Sequence, residues 1–268
     1  MTYKRKAYLY LLPSLILATV FFILPALAAA FSSLSSPSGY ISLFKKRYFL
    51  LSVKNTLLFT LLFIPINTLF SLVLAALTRK DDKISLFFRN IYIIPLSFSL
   101  ALIAVVFKKM LSSHSGIINR MLGLDFSLLD STSGSFASLV FLSLFLDVAI
   151  NYIILYSSFR SIDKSIIEMA MIDGAKKSRL FFSIEIPLIK KAIFLVLALG
   201  IKDALLISSP IMILTSGGPF RSTESIMFFY YVEAFNNMNY SYANSISTLM
   251  LSLSISSSLF FAKRRKHD

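Results

Sequence analysis

The sequence predicts an all-α, polytopic membrane protein. Three observations carry that reading: an excess of apolar residues, six apolar runs long enough to cross a bilayer, and basic residues gathered in alternate loops. Of 268 residues, 56% are hydrophobic and 15% charged, with mean hydropathy +0.76. Soluble domains carry roughly a quarter charged residues. Crossing ~30 Å of hydrocarbon takes about 20 helical residues. Runs near 7–31, 54–77, 87–107, 137–158, 188–212 and 241–262 meet that length. The expectation is a single transmembrane domain over residues 1–268, with six transmembrane helices.

The first run imitates a secretory signal, with Lys4-Arg5-Lys6 before it and Ala26-Leu27-Ala28 as a small-residue site. Its apolar stretch is longer than the usual ~7–15 residues and contains Pro13 and Pro25, so a retained helix is expected. Pro65, Pro95 and Pro210 also fall in or beside runs. Membrane helices tolerate proline where neighbours satisfy the freed carbonyls.

Basic residues set the direction. With the N-terminus inside, the inside segments hold Lys4, Arg5 and Lys6, then Arg79, Lys80, Lys83 and Arg89. They continue with Arg160, Lys164, Lys176, Lys177, Arg179, Lys190 and Lys191, and end on Lys263 to Lys266. Outside segments hold fewer, although Lys45-Lys46-Arg47 runs against the trend. Both termini are therefore expected on the cytoplasmic side.

The net charge of +14 sits between apolar runs, not along one polar face. It reads as membrane orientation, and the Lys263–Lys266 tail as a membrane-surface anchor, not a nucleic-acid patch. No cysteine is present, which excludes disulfides, thiolate nucleophiles and Cys-ligated metal. The two histidines, His114 and His267, have no partner at metal spacing and no triad beside them. No phosphate-binding Gly-x4-Gly-Lys-Ser/Thr loop occurs. Catalytic and metal sites are thus not expected.

Charged residues inside a span cost at least ~2.5 kcal/mol and by default pair or face water. Asp147 and Asn151 lie four apart, on one helical face. Lys202 and Asp203 are adjacent and not expected to face one another on a regular helix, so at least one should reach another helix, another subunit or a water-filled path. Asn55 and Asn67 are further candidates, since Asn also bonds between helices for packing. For all of them the alternatives are a translocation path and a structural inter-helix pair.

Between the fourth and fifth runs lies a charged segment, about 160–187, containing Glu168-Met169-Ala170, Asp173-Gly174-Ala175 and Ile186-Pro187. Residues 164–173 suit a helix with Ile166, Ile167, Ala170 and Met171 on one face and Glu168 on another. Gly174 can take positive φ and end it. Residues 176–185 allow a second short helix, and Pro187 opens the next span. Composition alone leaves two readings: a docking element, or a basic amphipathic loop resting on anionic lipid.

Glu168, Ala170, Asp173, Gly174, Ala175, Ile186 and Pro187 match the EAA loop of binding-protein-dependent ABC importers, which this segment resembles. Met169 stands for the second residue of that motif, and Asp163 stands where the family often has proline. The stretch Leu214 to Glu224, with Thr215, Gly217-Gly218-Pro219 and Ser222-Thr223-Glu224, is similar to one found in permeases for sugars and glycerol phosphate. Tyr230-Tyr231, Ala234-Phe235, Arg89 with Pro95, and Gly116-Ile117-Ile118-Asn119 agree with that branch. The likeness runs from about residue 8 to the end.

The resemblance implies one transmembrane subunit of a bacterial inner-membrane ABC importer for a sugar. It implies a second permease subunit, a cytoplasmic ATPase dimer that binds the ATP, so that this chain needs no cofactor, and an extracellular solute-binding protein received near 108–136 and 213–240. The loop helix would dock on the ATPase, with Glu168 supplying charge and Gly174 the turn. Asp147 falls where sugar permeases are often polar. Rival readings are a permease for polyamine or phosphate, an ATP-independent channel, and a membrane-embedded enzyme. The last needs clustered acid, His or Ser groups that this chain lacks.

Overall fold

A computed structural model describes residues 3–35, 37–112, 116, 117, 121 and 128–267. His114, Ile118, Asn119 and Arg120 lie outside them. Every regular element among the described residues is helical.

Helix α1 (Tyr3–Ala18) runs through a π-helical turn, Thr19–Ile23, into α2 (Leu24–Leu34). Pro25, which has no N–H to donate to the preceding turn, lies two residues beyond the end of that widened turn. Next come α3 (Pro37–Lys45) and α4 (Arg47–Leu77), which carries Pro65 inside it. At 1.5 Å per residue α4 is about 46 Å long, enough to cross a bilayer and emerge. Helix α5 (Lys83–Ile93) is capped by Asp82, whose Oδ1 accepts from the Ser85 amide at 2.7 Å. Helix α6 (Leu100–Leu111) follows, then α7 (Thr132–Arg160), capped by Ser131. The rest comprises α8 (Lys164–Ile172), a helical stretch from Lys177 to Leu188, α9 (Lys190–Leu205), α10 (Ser209–Leu214), α11 (Ile226–Tyr231) and α12 (Tyr240–His267).

Among the described residues, four helical stretches are long and apolar enough to cross a membrane: Tyr10–Leu34, Arg47–Leu77, Thr132–Arg160 and Tyr240–Phe261. Two expected spans differ from single helices. The run at 87–107 breaks into Lys83–Ser97 and Leu100–Leu111, bent by 98°. A 3-10 turn at Ile94–Ser97 contains Pro95, Phe98 and Ser99 are extended, and Ser99 restarts the ladder by accepting from the Leu102 amide. A proline without a donor followed by a hydroxyl cap makes a stop and a start. The run at 188–212 is interrupted after Leu205, and α10 begins with Pro210 in its first turn.

The chain divides into two compact units. One comprises residues 1–50 and 229–253. There Ser33 meets Thr248 at 3.0 Å, Tyr40 donates to Ser33 at 2.8 Å, and Asn244 donates to Ser32 at 3.1 Å. Gly39 keeps this contact close: a Cβ there would come within 3.3 Å of the Ser245 hydroxyl. Lys46 pairs with buried Glu233 at 3.1 Å and lies 3.8 Å over the Tyr242 ring. The basic cluster that departs from the loop asymmetry therefore has one of its charges neutralised locally.

The second unit comprises residues 51–228 and 254–268. Its core joins α4, α7 and α9 through Leu74, Ala75, Val148, Tyr152, Leu155, Phe159, Ile189 and Val196. Thr78 and Tyr152 share a buried hydrogen bond at 2.8 Å.

Candidate functional site

The loop leaving α7 folds as a capped helix and a return arm. Asp163 is the N-cap of α8: its carboxylate accepts from the Ser165 amide at 3.0 Å. That hydrogen bond, first among its causes, holds the Asp163 carboxyl below the usual carboxylate range. A cap residue thus does here what a leading proline does elsewhere, starting the helix at Lys164. At the other end Gly174 takes φ +79°. The Gly174 amide donates to Met171 and the Ala175 amide to Ala170, both at 3.0 Å. This is a Schellman closure, with glycine in the left-handed position.

Helix α8 half-buries Ile166, Ile167 and Ala170 and exposes Glu168, Met169, Met171, Ile172 and Asp173. Met171, expected on the same face as Ile166, Ile167 and Ala170, is exposed. Ile172 is 84% exposed and Met169 58%. Exposed apolar groups beside a carboxylate, at the tip of a capped helix outside every candidate span, form a surface suited to docking.

The return arm runs through Lys177–Arg179, a π-helical Leu180–Glu185 and Ile186–Leu188, with Pro187 exposed. The expected second short helix forms and runs on through Leu188, so Pro187 lies inside it and α9 begins three residues later. Glu185, which is 2% exposed, pairs with Arg79 at the end of α4. The Arg79 guanidinium lies 5.9 Å from the Phe159 ring and 6.0 Å from that of Phe181. Nearby, Arg160 donates to Asp81 at 2.5 Å, the main cause holding Asp81 below the usual carboxylate range. Arg89 donates to the Thr78 carbonyl at 3.0 Å and stands 4.8 Å over the Tyr156 ring. In the sequence Arg79 and Arg160 stand out only as loop charges, and Glu185 is not singled out by spacing. Its signal was a carboxylate set among Ile184, Ile186 and Pro187, a setting that asks for a cation.

Asp147 and Asp203 line one pocket of about 180 Å³ with Ser143, Ser208, Ser209 and the rings of Phe59 and Phe63. Asn151 is not among its lining residues and is buried in α7. Lys202 and Asp203 form an ion pair with each other at 2.8 Å, contrary to the expectation for neighbours on a helix. They sit in the last turn of α9, where the flexible lysine stem can wrap around the axis. Asn67 is 1% exposed, and neither its Oδ1 nor the Ser71 hydroxyl one turn on has a hydrogen-bond partner among the described residues.

Asn55 has another job. Its amide donates to the carbonyls of Arg221 at 2.8 Å and Glu224 at 3.2 Å, and Thr56 accepts from the Ile226 amide at 2.9 Å. The 214–224 loop is also tied internally by Thr215 and Thr223 at 2.7 Å and by Arg221 and Glu224 at 3.2 Å.

Comparison with known proteins follows the same outline. The family described as binding-protein-dependent transport system inner membrane component matches residues 67–264. The multiple sugar-binding transport system permease protein MsmF of Streptococcus mutans is 29% identical over 262 residues, covering 92% of this chain and 90% of that protein. The sn-glycerol-3-phosphate transport system permease protein UgpA of Shigella flexneri is 30% identical over 264 residues, with the same coverage. A chain of the bacterial alginate ABC transporter, solved with its alginate pentasaccharide-bound periplasmic protein, superposes with TM-score 0.87 at 21% identity. It covers 96% of this chain and 93% of that one.

Proposed function

The chain belongs to the binding-protein-dependent transport system inner membrane components, and from that premise we propose that it is a permease subunit of an ATP-driven importer for a sugar or related carbohydrate. The observation that carries the reading is the capped helix α8, exposing Glu168, Met169 and Ile172 beyond the candidate spans. Relatives named for sugar and glycerol phosphate transport, similar over nine-tenths of this chain, support the solute class.

In this reading both termini face the cytoplasm. The bent α5–α6 pair and the interrupted α9–α10 pair stand as the third and fifth of six membrane passages. Segment 160–187 is the coupling loop. Glu168, Ala170, Asp173, Gly174 and Ala175 meet the ATPase subunit, and Pro187 belongs to the arm that carries the movement back. ATP binding closes an ATPase pair, draws together the loops of this chain and a second permease, and rocks the helices outward-open, a two-state rigid-body change. A solute-binding protein docks on the far side, near the 214–224 loop. Asp147 and Asp203, with Lys202, line part of the path, and buried Asn151 and Asn67 hold its walls. ATP is bound by the partner ATPase, so no cofactor is assigned to this chain.

The test is purification of the tagged chain in gentle detergent, with Glu168→Lys and Gly174→Pro variants assayed for uptake. An ATPase, a second permease and a binding protein should co-purify, and that binding protein's ligand names the solute. Both variants should lose uptake while the subunit is still expressed. Intact uptake in either variant removes the docking role, and a chain that purifies alone returns the channel and enzyme readings.

A further inference from the structure

We propose that Arg79 is a positioning residue that clamps the 160–187 loop to the ends of α4 and α7, so that the loop and α4 move as one body. The inference rests on the docking role proposed for the loop, and it assigns the route by which a pull on α8 enters the membrane helices.

Three elements converge on one guanidinium. Arg79 stands two residues beyond the last residue of α4. Its charge is met by Glu185 in the return arm, a carboxylate with almost no solvent access. Its guanidinium carbon stands over the rings of Phe159, in the last turn of α7, and Phe181, in the return arm. Those two rings are themselves stacked, with centroids 6.2 Å apart and planes 18° from parallel. The residue before, Thr78, ties the same α4 end to α7 through the Tyr152 hydroxyl at 2.8 Å.

The chemistry makes the joint stiff. A buried carboxylate left without its cation is strongly disfavoured. A guanidinium joins a carboxylate and aromatic faces at once, which an ammonium, a compact point charge on a flexible stem, does less well. By contrast, α8 half-buries only three residues and closes on a glycine. A force applied at α8 therefore reaches α4 through the return arm and this clamp.

Because this chain holds no cysteine, spin labels can be placed at will. Lys80→Cys and Lys177→Cys put exposed labels on the α4 end and on the return arm. The assembled complex, with cysteines of the partner chains replaced, is measured by pulsed electron resonance without nucleotide and with magnesium, ATP and vanadate. Only preparations that retain the ATPase subunit and the parent's basal ATP hydrolysis are compared, which removes simple misfolding as a cause. The parent's inter-label distance should stay the same in both states. In Arg79→Ala and Glu185→Gln it should shift when nucleotide is added, because the ATPase then moves the loop without α4. Arg79→Lys, which keeps the charge and loses the plane, should shift less. A nucleotide-dependent distance in the parent, or an unmoved one in both Arg79→Ala and Glu185→Gln, overturns the clamp while leaving the docking role standing. An ATPase that does not co-purify with the parent overturns the docking role, and the clamp with it.

Discussion

The Ala175 amide donates to the Ala170 carbonyl at 3.0 Å, across a chain reversal centred on Gly174 at φ +79°. That hydrogen bond ends helix α8 and leaves its tip, with Ile172 and Asp173, standing clear of the rest of the fold.

Gly174 tolerates a side chain sterically but not conformationally. A Cβ there would meet nothing within 4 Å, so Gly174→Ala carries only the left-handed backbone penalty, about 1–2 kcal/mol. Gly174→Pro also deletes the hydrogen bond to Met171 and fixes φ near −65°. Uptake assays on equally expressed variants should show a partial loss for alanine and a complete one for proline.

The Asp163 cap predicts an acid sensitivity confined to the loop. Its folded carboxyl titrates below its ordinary value because the Ser165 amide bonds the ionised form. The stabilisation is thus full above the ordinary value and is lost as pH falls toward the folded one. Protease cleavage within 164–172 should rise over that acidic window. In Asp163→Asn, whose side chain caps without titrating, it should stay flat.

Asn55 should prove structural. Asn55→Leu removes the side-chain amide bonded to the Arg221 and Glu224 carbonyls; the Arg221 carbonyl keeps the Glu224 amide, and loss of the buried bond to Glu224 costs about 1–3 kcal/mol. The expected result is a lower thermal midpoint and faster tryptic cleavage after Arg221, with the ATPase subunit still bound.

Asp147 should act on solute and not on assembly. It shares its pocket with Asp203 and three serines, so Asp147→Asn should change uptake rate or solute preference while the complex purifies intact. Unchanged uptake across a panel of sugars removes Asp147 from the path.

Much of the site was legible in the sequence because its signals are local. Gly174 had to take positive φ, and the apolar face of α8 followed from its spacing, apart from Met171, which points outward. The partners of Arg79, Lys46 and Asn55 were not legible. Glu185 lies 106 residues from Arg79, Glu233 lies 187 from Lys46, and the carbonyls bound by Asn55 come from 166 and 169 residues away. No periodicity records such pairings.

The sequence by itself determined that this is a helical membrane protein of several long apolar helices, because hydropathy and run length act residue by residue against a bilayer of set thickness. It also determined the turn at Gly174 and, through motif, the family. Only the tertiary structure decided that the third and fifth apolar runs are broken, at Phe98–Ser99 and after Leu205. Apolar count is blind to whether a proline's missing donor is bridged by the helix or ends it. Tertiary structure also decided which buried charge meets which, since an ion pair in a low-dielectric interior is chosen by the packing that brings two distant side chains together.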